Sequence, residues 1–212
     1  MIKSNSIENR CISVLLLFYF FGLLGICIPA TRDFFLSFTP LNLFVTLVIF
    51  YIVNKDYSKR FLVLSLLVFL LGFSVEGIGV ATGVLFGSYS YGSAFGLKLF
   101  ETPLMIGVNW LFLALSTYGI VQFFTDKGIW LILLPPVIMT SLDVLVEPVA
   151  MKLGFWSWEN DIIPLQNYAM WFLTSIFIHA IIYLFKPKIN AKISFIIIGV
   201  SALFFGFLNI LL

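Results

Sequence analysis

Seven long apolar stretches, separated by short polar breaks, set the pattern of this chain. They run approximately over residues 11–28, 35–53, 61–82, 103–124, 129–150, 168–185 and 193–212. Most reach the roughly 20 residues that a helix needs to cross about 30 Å of hydrocarbon. The pattern predicts an all-α fold, a polytopic membrane helical bundle of about seven transmembrane helices. Spans and short loops use up the sequence, so residues 1–212 are expected to form a single integral membrane domain with no separate soluble unit. The first stretch has a competing reading as a secretory signal peptide with Lys3 and Arg10 as its positive region. It is long for that, and Ile28-Pro29-Ala30-Thr31 is a poor small-residue cleavage site, which favours a retained helix.

Composition sharpens the picture. Hydrophobic residues make up 61% of the chain and charged residues 10%, against about 45–50% and about 25% in soluble domains. No packing scheme hides that much apolar surface from water, so the bilayer is the solvent. Basic residues predict orientation. Lys3, Arg10, Lys55, Lys59, Arg60, Lys127, Lys186, Lys188 and Lys192 fall on one side, and only Arg32, Lys98 and Lys152 on the other. The expected arrangement has the N-terminus in the cytoplasm and the C-terminus outside, in the cell (plasma or inner) membrane. A net charge of +2, spread along the chain, forms no nucleic-acid patch. Cys11 and Cys27 lie in one predicted helix, roughly 24 Å apart at helical rise, too far for a disulfide. With those and a single histidine, no ordinary metal or haem site is expected.

The two longest loops, 83–102 and 151–167, share one side and are rich in glycine and aromatics, as in Tyr89-Ser90-Tyr91 and Trp156-Ser157-Trp158. They are expected to fold back onto the membrane surface or to cap a cavity; an aromatic belt at the headgroups is the alternative without function.

Ionisable residues inside spans are costly and mark function by default. Three stand out: Glu76 in the third stretch, and Asp143 and Glu147 in the fifth, spaced i,i+4 on one helical face. Glu76 and Asp143 each lie roughly 10 Å from the same helix ends, and Asn109 falls at a similar depth. Asn167 and Trp171 open the sixth helix at that level, so polar groups from four helices share one layer. His179 sits two turns further in and reads as a packed, hydrogen-bonded histidine. Asparagines and carboxyls in membranes also serve simply as links between helices, worth about 0.6–2 kcal/mol each. Three carboxyls without a basic residue at their depth argue for more, because at least one is expected to stay protonated and to act as a general acid in an apolar cavity. Such a group suits protonation of an alkene, the carbocation being stabilised by aromatic faces.

The residues also carry a resemblance. Glu76-Gly77-x-x-x-Ala81-Thr82-Gly83-x-x-Phe86-Gly87-x-Tyr89-x-Tyr91 is followed by Pro103 and Asn109-Trp110. Asp143-x-x-x-Glu147-Pro148 is followed by Trp156-x-Trp158, Pro164, Asn167-Tyr168 and Trp171. Over about residues 70–175 this order resembles the carotenoid biosynthesis membrane-protein family that includes the carotenoid 1,2-hydratases and bisanhydrobacterioruberin hydratases. Two positions depart from the family pattern: Glu147 stands where an aspartate is usual, and Met170 stands where a glycine usually precedes the tryptophan. The resemblance implies addition of water across the terminal double bond of an acyclic carotenoid, with no cofactor. It implies Asp143 or Glu76 as proton donor and Glu147 as coupled carboxylate or water-orienting base. Asn109 and Asn167 would hold water, with Trp110, Trp158 and Trp171 lining the pocket, and Tyr89, Tyr91 and Trp156 beside the substrate. Expected partners are the lipid bilayer, the carotenoid and other enzymes of its pathway. Rival readings are a carotene cyclase or isomerase using the same protonation, and a non-catalytic isoprenoid carrier or assembly protein. A proton-coupled transporter fits less well, because the polar groups stop in one layer.

Overall fold

The protein's structure, a computed structural model, describes residues 2–212, with side chains from Ser6 onward; Lys3, counted above among the basic residues, has its side chain outside the described set. Eight α-helices make up the bundle: α1 (Ile2–Cys27), α2 (Arg32–Leu36), α3 (Thr39–Asn54), α4 (Lys59–Thr82), α5 (Leu104–Phe124), α6 (Gly128–Lys152), α7 (Leu165–Phe185) and α8 (Ala191–Leu211). Six of them are long and apolar enough to cross a membrane, and α3 is a shorter apolar helix of 16 residues.

That shorter helix corrects the expectation of a continuous span over 35–53. Pro40 lies in the first turn of α3 and has no N–H to offer the Leu36 carbonyl, so a helix can start there but not run through. The Thr39 hydroxyl takes up that carbonyl instead, at 2.7 Å. The residues ahead of the break form α2, which is tied back to the end of α1 by Arg32 Nε donating to the Ile26 carbonyl at 2.9 Å and the Thr31 hydroxyl donating to Gly25 at 2.8 Å.

Basic residues gather at one end of the bundle. There Lys55 pairs with Glu8, Lys192 Nζ donates to Asn9 at 2.9 Å, and Arg60 donates to the Leu184 carbonyl at 3.2 Å. Gln122 bridges the loop before α8, donating to the Pro187 carbonyl at 2.8 Å and accepting from Ile189 N at 2.9 Å. The helix ends here are capped in the usual way, Ser58 accepting from Phe61 N and Asn190 from Lys192 N.

The axis of the bundle is α5, buried at nearly every position from Ile106 to Val121. Its neighbours approach closely because small residues stand at the contacts. At Gly72 of α4, an added Cβ would meet the Cβ of Trp110 at 2.4 Å; at Gly119 of α5, it would meet Ser194 Oγ at 2.3 Å.

At the end opposite the basic cluster, the two long loops pair with each other. The first loop holds β1 (Tyr89–Tyr91) and a separate small hairpin of β2 (Lys98–Leu99) with β3 (Thr102–Pro103), and β4 (Trp156–Trp158) follows α6. The β1 and β4 strands run antiparallel, with Tyr89 opposite Trp158 and Tyr91 opposite Trp156. Side chains alternate across a strand, so all four rings share one face while Ser90 and Ser157 meet on the other at 3.3 Å. The pairing depends on Gly92: its N–H donates to Phe155 at 2.9 Å, and a Cβ there would lie 2.1 Å from the Gly154 carbonyl. The loops thus form a two-stranded cap.

Gly72→Val is expected to destabilise the protein by about 1–3 kcal/mol, because overpacking has to displace the Trp110 indole. Gly199→Ala, where nothing lies within 4 Å of the new Cβ, is expected to leave stability unchanged. Thermal midpoints of the two variants in the same detergent check this.

Candidate active site

The face of the cap that carries the rings lies over the carboxyls. Glu76 on α4 is 3% exposed and accepts three hydrogen bonds: from the Tyr89 hydroxyl at 2.6 Å, the Tyr91 hydroxyl at 2.8 Å and Trp110 Nε1 at 3.0 Å. Glu147 on α6 also accepts three, from Trp156 Nε1 and Trp158 Nε1, both at 2.8 Å on Oε2, and from Asn167 Nδ2 at 2.8 Å on Oε1. Each carboxyl is therefore paired with neutral donors whose bodies are aromatic or amide.

Asp143 is provided for differently. One turn from Glu147 on the same face, it is 4% exposed and accepts a single bond, from Asn167 Nδ2 to Oδ2 at 3.1 Å. Its Oδ1 has no protein partner among the described residues. Asn167 opens α7 and reaches both acids of α6 with one amide nitrogen. Its Nδ2 thus acts as a clamp between Asp143 and Glu147.

The three acids border one cavity of about 470 Å³, lined also by Tyr89, Tyr91, Asn109, Trp156, Trp158, Asn167 and Trp171. Asn109 faces this space from α5, and its amide makes no hydrogen bond to the described residues. Trp110 departs from its expected place. It is fully buried behind the cavity wall, where it donates to Glu76 and stacks on Trp171 with centroids 4.2 Å apart and planes at 17°. It supports the wall without being part of it.

Burial and the neighbouring carboxylate of Glu76 push the Tyr89 and Tyr91 hydroxyls above the ordinary tyrosine range. Both remain donors across the working pH range. Lys98 lies on the cap's backbone, donating to the Tyr91 carbonyl at 2.6 Å, and makes no hydrogen bond to the acids. His179 does not line the cavity. It joins α7 to α5, with Nδ1 2.7 Å from the Ser175 carbonyl and Nε2 3.1 Å from both Thr117 Oγ1 and the Ala114 carbonyl.

Sequence reasoning missed the wall opposite the acids. There the cavity is lined by Tyr19 and Ser201, which share a hydrogen bond at 3.3 Å, and by Asn42. A polar residue on each of α1, α3 and α8 was the available signal.

Helices of this length and apolarity, enclosing a capped cavity bordered by three carboxyls, define a multi-pass membrane protein with a buried acidic site. Within that class the chain belongs to the carotenoid biosynthesis protein family, whose model matches residues 38–211. That match reaches well beyond the 70–175 stretch in which the motifs lie. The chain is also similar to a bisanhydrobacterioruberin hydratase from Haloarcula japonica, at 30% identity over 113 residues, covering 50% of this chain and 39% of the relative. The aligned region thus spans about two fifths of that relative's length. No solved structure matches the chain.

Asn167→Leu is expected to cost about 1–3 kcal/mol, because it strips Asp143 of its one donor and Glu147 of one of three. Asn109→Leu, at an amide without a protein partner, is expected to leave stability near wild type. Thermal unfolding of both in detergent, followed by tryptophan emission, is the measurement.

Proposed function

We propose that the protein hydrates the terminal C1–C2 double bond of an acyclic carotenoid, with Asp143 as the proton donor. The observation that carries this reading is the unequal provision for the three acids. Glu76 and Glu147 each receive three donors, and hydrogen bonds of this kind favour a carboxylate against the effect of burial, which Asp143 meets with only one. Asp143 has one donor, a free oxygen and two carboxyls for neighbours, which makes it the place for a proton. Family membership supports a role in carotenoid biosynthesis, and the hydratase among the similar proteins supports the type of reaction.

The chemistry follows from these positions. The π electrons of the alkene take the Asp143 proton at C-2, leaving a tertiary cation at C-1. The ionised Glu76 and Glu147 stabilise that positive charge in a water-poor space, assisted by the faces of Trp156, Trp158 and Trp171. A water held by Asn109 adds its lone pair to C-1. Its surplus proton passes to the Asp143 carboxylate, directly or by way of Glu147, so the acid is restored and the product is a tertiary alcohol. No electrons are gained or lost.

Expression in a bacterium that makes lycopene, with chromatography and mass spectrometry of the pigments, tests the reading. The expected result is a more polar pigment heavier by one water, with Asp143→Asn lowering its yield by about 10²-fold or more. An isomer of unchanged mass would replace hydration by cyclisation. Unaltered lycopene with the protein present in the membrane would reject catalysis on this substrate in favour of a carrier. Full hydration by the Asp143→Asn protein would remove that residue from its role.

A further inference from the structure

The cavity that holds the acids does not end inside the protein. Its lining continues to six apolar side chains that are also exposed on the bundle's outer surface: Leu17, Phe18 and Phe21 of α1, and Phe34, Phe38 and Leu41 from α2 and the start of α3. Their exposure runs from 38% at Phe18 to 62% at Phe34, and these helices face lipid. Among these six there is no polar or charged group.

The break at Pro40 lies at this opening. Here α3 has 16 residues where α4 has 24, and Phe34, Phe38 and Leu41, from either side of the break, line the cavity. The α2 segment is fixed on its α1 side, where the Phe35 ring sits directly on Gly25; a Cβ at Gly25 would come within 2.1 Å of that ring. The remaining two rings, Phe34 and Phe38, meet edge to face at 5.0 Å and form the opposite rim.

Resting on the hydratase reading, we infer that this side opening is a binding site for the unreacting tail of the substrate. The tail is a long hydrocarbon chain that extends from the acids, between α1 and the α2–α3 corner, into the bilayer. A mostly apolar lining from Asp143 to the lipid-facing rim, interrupted only by a few polar residues such as Tyr19, Asn42 and Ser201, identifies the occupant. A polar ligand gains nothing from six aliphatic and aromatic side chains, whereas an isoprenoid chain too long for the cavity needs an apolar exit. The reacting end would enter from the membrane, with no passage through water.

The test uses purified full-length protein in phosphatidylcholine vesicles supplied with lycopene or with myrcene, a short terpene hydrocarbon with the same dimethylvinyl end. Two variants obstruct the opening: the double variant Leu17→Trp/Leu41→Trp by bulk, and Phe34→Asp by charge at a side chain that packs little. Leu203→Trp, on an exposed part of α8 away from the cavity, is the control. Lycopene retained per protein and the ratio of lycopene to myrcene turnover are both expected to fall about tenfold or more in each obstructed variant. The control should retain lycopene as wild type does. Unchanged retention and ratio in both obstructed variants, with hydration intact, would overturn the tail site and leave the hydratase reading standing. Lycopene retained by wild type and lost from the obstructed variants, with no water ever added, would keep the tail site and reject hydration. A wild-type protein that neither retains nor converts lycopene would reject both.

Discussion

A carboxyl group in the hydrocarbon layer has no water to accept from, and every such group has to be supplied with donors by the protein itself. Three of them stand close together in this structure. Among the described residues, no lysine or arginine donates to them. The protein supplies indole and phenol groups, which carry one polar atom on a large apolar body and so bring donors into an apolar site at low cost. Meeting that demand organises the whole capped end: Tyr89 and Tyr91 reach Glu76, and Trp156 and Trp158 reach Glu147, only because β1 and β4 lie side by side with those rings on one face. The pairing in turn requires a residue without a side chain at Gly92. Glycine, strand and ring are consequences of the same shortage of donors.

Neutral donors have an electrostatic effect that cations would not. An arginine beside Glu76 would cancel its charge, whereas three N–H and O–H groups spread that charge and leave it in place. In the proposed reaction, a carboxylate left uncancelled within an apolar shell would stabilise the short-lived positive carbon. The four aromatic residues of the cap act twice, donating to the acids and lining the cavity.

The bundle was legible in the sequence because apolar runs of span length have few other interpretations, and six of the seven appear as full-length helices. The acidic cluster was legible too. Asp143 and Glu147 share a face by spacing alone, and Glu76, Asn109 and Asn167 fall at one depth by counting residues. The break ahead of α3 was signalled by Pro40, but the apolar run continues across it, and hydropathy alone does not register a missing N–H. The cap was harder. Its strands are three residues long and 67 residues apart at Ser90 and Ser157, too short for periodicity to carry a signal. Trp110 and Asn167 lay in the motif, yet their tasks depend on which side of a helix faces a neighbour, which no single stretch of sequence specifies.

The order of synthesis adds a demand of its own. The donors to Glu76 follow it by 13, 15 and 34 residues, and the ring donors to Glu147 follow by 9 and 11. At about 5–20 residues per second, Glu76 is made some seconds before Trp110 exists. Each acid-bearing helix therefore has to enter the bilayer on the apolarity of its other residues, with a penalty of roughly 2.5–3.5 kcal/mol on the scale measured for a central aspartate. The α4 and α6 spans have mean hydropathies of 2.4 and 2.1, within the range of the acid-free α5, α7 and α8, at 1.7, 1.7 and 2.3, or just above it, so their acids have not made them poorer candidates for insertion. The leucine, isoleucine and valine around the acids thus carry insertion, giving both helices a place in the membrane before the site they will build has any of its partners.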